Sequence, residues 1–495
     1  MKTKIEIPQE VARVAATLMS AGFEAHLVGG CVRDMLLERE PKDWDVATNA
    51  KPDEVQKLFP DTVYENEFGT VGVKTESENP KWKIVEVTTY RIEGSYTDKR
   101  HPDEVRFADT IEEDLSRRDF TVNALALRSF GEEGAAMDIK EALIDPFNGR
   151  GDLKNGIIRT VGDPAARFNE DALRLMRAVR FAVELGFTIE PGTRAAIAKL
   201  SGELAHVAKE RVRDEFEKII MTPDAARGVL LLEELGLLAH ILPELRDGIG
   251  VSQNLHHIYT VFEHNVRALD YTAKQGYPLA VRLGALLHDV GKPRSKQGDG
   301  EHATFYQHEY IGAKMAVKAL DRLRFSRELV DQVRHLVRTH MFYYNMGEVS
   351  DAGVRRLVKR MGPENIEDIL HVREADRIGS GVKKAVPYRL RHLLFMMEKV
   401  KRDPLSPKML AVNGDTLMPL LGVGPSPRLG WIIAALLEEV LDDPARNTKE
   451  YLEARAQEFN KLSDAELKKL AESSKEKKEE KQEEIEQEMK RQFRV

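Results

Sequence analysis

The sequence predicts an α+β N-terminal third followed by an all-α remainder, and three observations carry that prediction. Strand-like runs, AHLVGG, TVGVKT, KIVEVTTYRI and NALALRSF, are confined to residues 1–165, where they alternate with helical patterns. From about Asp163 onward apolar residues recur at three- and four-residue spacing, as in DALRLMRAVRFAVEL and GVLLLEELGLLAHIL, the period of a helix with one buried face. Eight of the 14 histidines fall between His206 and His308 (His206, His240, His256, His257, His264, His288, His302 and His308), which marks a candidate metal-binding segment.

At 495 residues the chain exceeds what one hydrophobic core organises, so several domains are expected. The pattern changes divide it into a head at 1–165, a helical neck at 166–245, a histidine-rich helical domain at 246–400, a small helical body at 401–460 and a charged helical tail at 461–495. The tail, KKEEKQEEIEQEMKRQF, has few apolar anchors and reads as a solvated or frayed helix. No apolar run approaches the roughly 20 residues of a membrane helix, and MKTKIEIPQE lacks a secretory apolar stretch, so a cytoplasmic location without a membrane partner is expected. Cys31 is the only cysteine, which excludes intramolecular disulfides and cysteine-rich zinc sites. A net charge of −7 argues against indiscriminate coating of nucleic acid but allows a local basic cleft, and no DNA partner is expected.

The first chemical constellation begins at HLVGGCVRDMLL, which reads as strand, two-glycine turn and helix. Gly29 and Gly30 let backbone N–H groups approach a phosphate at the helix N-terminus. Lys42-Asp43-Trp44-Asp45-Val46 reads as a strand, and residues two apart on a strand share a face, so Asp43 and Asp45 could hold divalent ions against a triphosphate; a polar strand edge is the plainer alternative. Glu86, interrupting the apolar run IVEVTT, fits a third carboxylate of that site and equally a solvent-facing position. In EDLSRRDFTVNA, Arg117 and Arg118 offer planar donor forks to phosphate oxygens, while Asp119 and Asn123 suit ribose hydroxyls.

In EDALRLMRAVRFA, Asp171 and Arg174 stand at i,i+3 on a predicted helix, where an ordinary ion pair is one reading. The other is base recognition. Cytosine and adenine each place an exocyclic amine donor beside a ring-nitrogen acceptor, which a carboxylate beside a guanidinium satisfies; uracil and guanine present the opposite polarity. Arg177 and Arg180 follow at three-residue intervals, positioned either for triphosphate or RNA or for packing.

Taken in order, GGCVRD, KDWDVAT, RRDFTVNA and EDALRLMRAVRFA resemble the motifs of the class II tRNA nucleotidyltransferase and poly(A) polymerase family, over most of residues 1–245. The resemblance implies a head of the polymerase-β nucleotidyltransferase type with helical domains behind it. It implies addition of CMP and AMP from CTP and ATP to a tRNA 3′ end, with Mg2+ held by Asp43 and Asp45. Gly29, Gly30 and Arg33 match phosphate contacts, and Arg117, Arg118, Asp119 and Asn123 match a second nucleotide-binding motif. Asp171 and Arg174 match a nucleotide-reading pair positioned by Glu170, with Arg167, Arg177 and Arg180 completing the candidate nucleotide-binding set. The polar segment from Tyr90 to Asp103 resembles the flexible loop of members that add the terminal A, which disfavours addition of CC alone and leaves A-only and poly(A) addition open.

Farther along, His264, then His288-Asp289 in ALLHDVGKP, then Asp376 in EADRIGS, resemble the H…HD…D order of the HD phosphohydrolase superfamily. This implies a divalent metal whose identity the ligand types leave open. His308 and His340 match second-metal positions better than His335. Lys292 fits a phosphate contact or a solvated side chain. The implied activity is metal-dependent phosphate-ester hydrolysis; the alternative is a helical scaffold that only grips RNA.

Overall fold

The computed structural model describes residues 4–5, 7–64, 69–93, 105–128, 137–138, 142–254, 258–401 and 410–495. Residues 94–103 of the polar loop, together with His256 and His257, lie outside the described residues. The chain divides into two compact units, Met1–His340 with Leu370–Lys383, and Met341–Ile369 with Lys384–Val495. That division runs through the histidine-rich stretch anticipated at 246–400.

Seven strands form the head sheet: β1 (His26–Val28), β2 (Asp45–Thr48), β3 (Thr62–Tyr64), β4 (Thr70–Lys74), β5 (Ile84–Thr89), β6 (Ala126–Arg128) and β7 (Leu143–Ile144). Their order across the sheet is β7-β6-β1-β2-β5-β4-β3. Every neighbouring pair is antiparallel except β2 and β5, which run parallel. The alternation along β5 buries Val85, Val87 and Thr89 and leaves Ile84 and Glu86 on the open face, as a half-covered strand requires.

Behind the head the chain is helical, as its apolar periodicity predicts. The neck contains α1 (Arg174–Leu185), which buries Leu175, Met176, Val179 and Ala182, and α2 (Lys209–Ile220), which buries Val212, Phe216 and Ile219. Five helices then carry the metal-type side chains or flank them: α3 (Val261–Lys274), α4 (Leu279–Leu287), α5 (His308–Arg322), α6 (Arg327–Thr339) and α7 (Ile366–Gly379). The first of these opens with a capping box, in which Thr260 accepts from Glu263 N–H and Glu263 accepts from Thr260 N–H. Arg282 is buried and spends its guanidinium on the backbone oxygens of Tyr277, Ile220 and Thr222, tying α4 to the C-terminal end of α2.

The second unit has its own core around Leu417, Ile432, Leu436, Leu452 and Leu467. The charged tail is a helix over Asp464–Phe493. Leu467 and Met489 are buried, and Lys399 Nζ meets Glu486 Oε2 at 2.8 Å. Among the described residues, no helix is long and apolar enough to cross a membrane.

Candidate active site and metal centre

The turn after β1 has the predicted shape. Gly29 takes φ +74°, and the short helix Gly30–Leu36 starts on the next residue. A Cβ on Gly29 would lie 2.7 Å from Arg118 Nη1 and 3.7 Å from Asp45 Oδ2, so only glycine lets the guanidinium and the carboxylate close over this turn. Gly30 is not constrained in the same way, its nearest neighbour standing at 3.8 Å.

Pairing of β2 with β5 sets Asp45 directly opposite Glu86. In-register neighbours on a sheet project to the same face, so the two carboxylates stand side by side. Asp43 departs from expectation, because β2 begins only at Asp45 and Asp43 sits in the exposed bend before it. It remains near enough for its charge to act on Asp45. Burial pushes the Asp45 carboxyl above the usual carboxylate range, Arg118 pulls it back, and Asp43 adds to the rise. A recessed carboxylate opposed by burial and by a second carboxylate fits a site built to receive a cation.

A cavity of about 530 Å3 opens over these strands, with Asp45, Glu86, Arg118, Asp171, Arg174 and Arg211 among its lining. Gly29, Gly30, Arg33, Arg117, Asp119, Asn123 and Arg177 contribute as well. Asp43 and Arg180 line an adjoining cavity of about 550 Å3, which shares Asp45, Arg33 and Phe181 with the first. The guanidinium groups are pre-set by carboxylate and amide partners. Asp114, fully buried, accepts from both Arg117 and Arg118, and despite its burial these two arginines hold its carboxyl below the usual range. Asp119 accepts from Arg177 at 2.6 Å and from Asn123 at 3.3 Å, and Asn123 in turn accepts from Arg33 at 2.8 Å. Phe181 lies beneath Arg33, Arg177 and Arg180, with ring centroid distances of 5.3, 5.3 and 4.0 Å.

For Asp171 with Arg174, for Arg167 and for Arg180 the structure supplies the partners. Asp171 and Arg174 do not form an intrahelical pair, because the helix Pro164–Glu170 ends at Asp171, whose φ of −143° and ψ of 105° are extended, and α1 begins at Arg174. Asp171 is held instead by Arg211, and Arg174 by Glu170 and the Arg167 carbonyl. Arg167 is not among the cavity-lining residues; it ties together the carbonyls of Val161, Ser116 and Arg117 and the carboxylate of Glu170. Arg180 is committed to Glu215 at 2.7 Å and Glu184 at 3.0 Å. Asp114 has a sequence signal in its i,i+3 and i,i+4 spacing to the two arginines. Arg211, 40 residues from Asp171, has none.

At the second centre His264, His288, Asp289 and Asp376 converge, and Asp289, His308 and His340 form an overlapping group. His264 Nε2 lies 2.9 Å from His288 Nε2, 3.1 Å from Asp289 Oδ2 and 3.4 Å from Asp376 Oδ1. Asp289 turns its other oxygen to His308 Nε2 at 3.3 Å and His340 Nε2 at 3.7 Å. His335 belongs to neither group. Three of the imidazoles are oriented by one device: Nδ1 of His288, His308 and His340 faces the carbonyl three residues earlier, of Ala285, Phe305 and Val337, at 2.7 to 2.8 Å. That contact fixes a proton on Nδ1, so that in the neutral ring a metal would bind, each Nε2 lone pair faces the cluster.

The electrostatics agree. Burial opposes charge on His288, yet Asp289 and Asp376 carry its pKa up to about 10, while burial and His288 lower His340 to about 3. The carboxylates thus demand positive charge at this point. Lys292 is buried, not solvated, with Nζ 2.6 Å from Asp289 Oδ2 and 2.7 Å from Gln253 Oε1. Gly291 admits α5 at close range, since a Cβ there would stand 2.2 Å from the His308 carbonyl oxygen.

Comparison with known proteins is consistent with both centres. Residues 25–159 match the model of the Poly A polymerase head domain, 186–249 the probable RNA and SrmB-binding site of polymerase A, and 257–379 the HD domain. Fold and family models together define a nucleotidyltransferase that carries an HD domain in the same polypeptide. The A-adding tRNA nucleotidyltransferase of Deinococcus radiodurans is 36% identical over 427 residues, covering 84% of this chain and 91% of that protein. The CCA-adding enzyme of Enterococcus faecalis is 33% identical over 456 residues, covering 90% and 94%. The crystal structure of the Bacillus stearothermophilus CCA-adding enzyme in complex with CTP matches with a TM-score of 0.58 at 30% identity, covering 92% of this chain and 98% of that one. The chain belongs to the tRNA nucleotidyltransferase and poly(A) polymerase family.

Proposed function

We propose that this protein completes and repairs tRNA 3′ ends by adding CMP and AMP from CTP and ATP, without a nucleic-acid template. The observation that carries the reading is the pairing of Asp45 with Glu86 at the floor of a guanidinium-lined cavity that also contains Asp171 and Arg174. The RNA 3′ hydroxyl attacks the α-phosphorus in line, and pyrophosphate leaves. Asp43 and Asp45, with Glu86 beside them, would hold a divalent metal, which would supply charge neutralisation and lower the pKa of the attacking hydroxyl when bound. Arg33, Arg117 and Arg118 donate to triphosphate oxygens, and the Gly29 turn lets the phosphates approach the backbone. Asp119 and Asn123 orient the ribose. Asp171 accepts from the exocyclic amine of cytosine or adenine, and Arg174 donates to the adjacent ring nitrogen.

The HD centre supports a second reaction, hydrolysis of phosphomonoesters or 2′,3′-cyclic phosphates at RNA ends. Its imidazole and carboxylate donors suit a transition metal, whereas the all-oxygen head suits Mg2+. The Deinococcus relative favours a different reading of the head, addition of A alone. Incubating the purified protein with tRNA lacking CCA, tRNA ending in CC, or complete tRNA, each with one labelled nucleotide, separates these. CCA addition incorporates CMP into the first and AMP into the second, an A-adding enzyme labels only the second, and a poly(A) polymerase extends the third.

A further inference from the structure

We propose that Arg373 is a positioning residue of the histidine-rich centre, holding Asp376 so that one oxygen, Oδ1, is presented to a divalent metal. This rests on the reading of His264, His288, Asp289 and Asp376 as a set of metal ligands. Arg373 stands three residues before Asp376 on α7, a spacing that puts both side chains on one side of the helix, and its Nη1 donates to Asp376 Oδ2 at 2.5 Å. Asp376 Oδ1 is the oxygen turned to the imidazoles, 3.4 Å from His264 Nε2 and 3.7 Å from His288 Nε2.

The two carboxylates of the centre are used differently. Asp289 meets one pair of imidazoles through Oδ2, His264 and His288, and the other pair through Oδ1, His308 and His340. Asp376 meets imidazoles through Oδ1 and the guanidinium through Oδ2. The backbone of α7 is already set at this point. Gly379 lies against His264, where a Cβ would stand 2.8 Å from the His264 carbonyl oxygen and 3.1 Å from Nδ1. Ser380 donates to the Asp376 carbonyl from its N–H at 3.0 Å and from Oγ at 2.9 Å. What the helix leaves open is rotation of the carboxylate about its last bond, a torsion that is broad in aspartate. The bond from Arg373 closes it.

Charge opposes this arrangement, which gives the proposal a sign. A cation fixed beside a ligand repels an incoming metal, so removal of a simple counterion would tighten metal binding. Removal of a group that orients a ligand does the reverse. A quarter of the Arg373 side chain, 26%, is exposed, so solvent screens its repulsion, whereas its bond to Asp376 is short and direct. Orientation therefore outweighs repulsion. Lysine in its place keeps the charge and loses the planar fork, which separates the two effects.

The test is titration of the metal-free wild type, Arg373→Lys, Arg373→Met and Asp289→Ala with Co2+ under saturating Mg2+, followed by the visible absorption of the bound ion, with a thermal melt of each protein. The wild type is expected to bind Co2+ at this centre and Asp289→Ala to lose that binding. Arg373→Met should raise the Kd about 10- to 100-fold, and Arg373→Lys should raise it less. Should Arg373→Met fail to fold, Arg373→Lys decides. Unchanged or tighter Co2+ binding by the folded Arg373 variants would overturn the proposal and leave Arg373 a counterion of Asp376. Equal binding by the wild type and Asp289→Ala would show instead that the metal reading of the centre fails.

Discussion

Gly29 shows how much of the active site rests on one missing side chain. Its φ of +74° and ψ of −128° lie where L-residues pay a strain of about 1–3 kcal/mol, and an added Cβ would displace Arg118. Gly29→Ala is therefore expected to cut kcat/KM for nucleotide addition about 100- to 1,000-fold, an order set by the loss of one well-placed charged donor. Steady-state kinetics of the variant, with circular dichroism to confirm folding, check this. Asp114→Ala removes the buried carboxylate that holds both Arg117 and Arg118, and loss of one side of such a pair costs about 3–5 kcal/mol. Chemical denaturation should show a large drop in the unfolding midpoint. Gly29, Asp45 and Asp289 were legible in the sequence because their chemistry depends on residues a few positions away. Arg211 was not, because its partner is brought to it only by the packing of the neck.

At the level of elements, the parallel pairing of β2 with β5 decides where the carboxylates meet, and no local pattern announces it. The strand character of each segment was readable from alternation, and Glu86 from its interruption of an apolar run, yet its register against Asp45 comes from the tertiary fold. The helix through EDALRLMRAVRFA was read as continuous because its apolar spacing never breaks. It breaks at Asp171 because the side chain captures Leu173 N–H and the Arg211 fork, local and long-range bonds that outcompete one helical turn. Gly291 belongs to the same scale. The crossing of α5 leaves no space for a methyl group there, so Gly291→Ala should destabilise the protein by about 1–3 kcal/mol or more and release metal from the adjoining histidines. Thermal denaturation and elemental analysis of the purified variant measure both, and unchanged metal content with an unchanged melting temperature would argue against the close approach.

Across the whole molecule, the paired carboxylates of the head and the histidine–carboxylate cluster lie in one compact unit, and the clustered histidines marked the second of them in the sequence. The charged tail is a helix, as its sequence reads, and its buried side chains, Leu467 and Met489, are widely spaced in sequence. Independence of the two centres is the claim that spans the chain. Asp289→Ala should empty the HD centre of transition metal and end hydrolysis of 2′,3′-cyclic AMP, with nucleotide addition preserved. The measurement that tests the account most directly is labelled CTP and ATP incorporation into tRNA lacking CCA by wild type, Asp45→Ala and Asp289→Ala under saturating Mg2+. The account predicts completed CCA ends from wild type and Asp289→Ala and none from Asp45→Ala. Substantial incorporation by Asp45→Ala, or UMP and GMP transfer by the wild type at the rate of CMP and AMP, would contradict it.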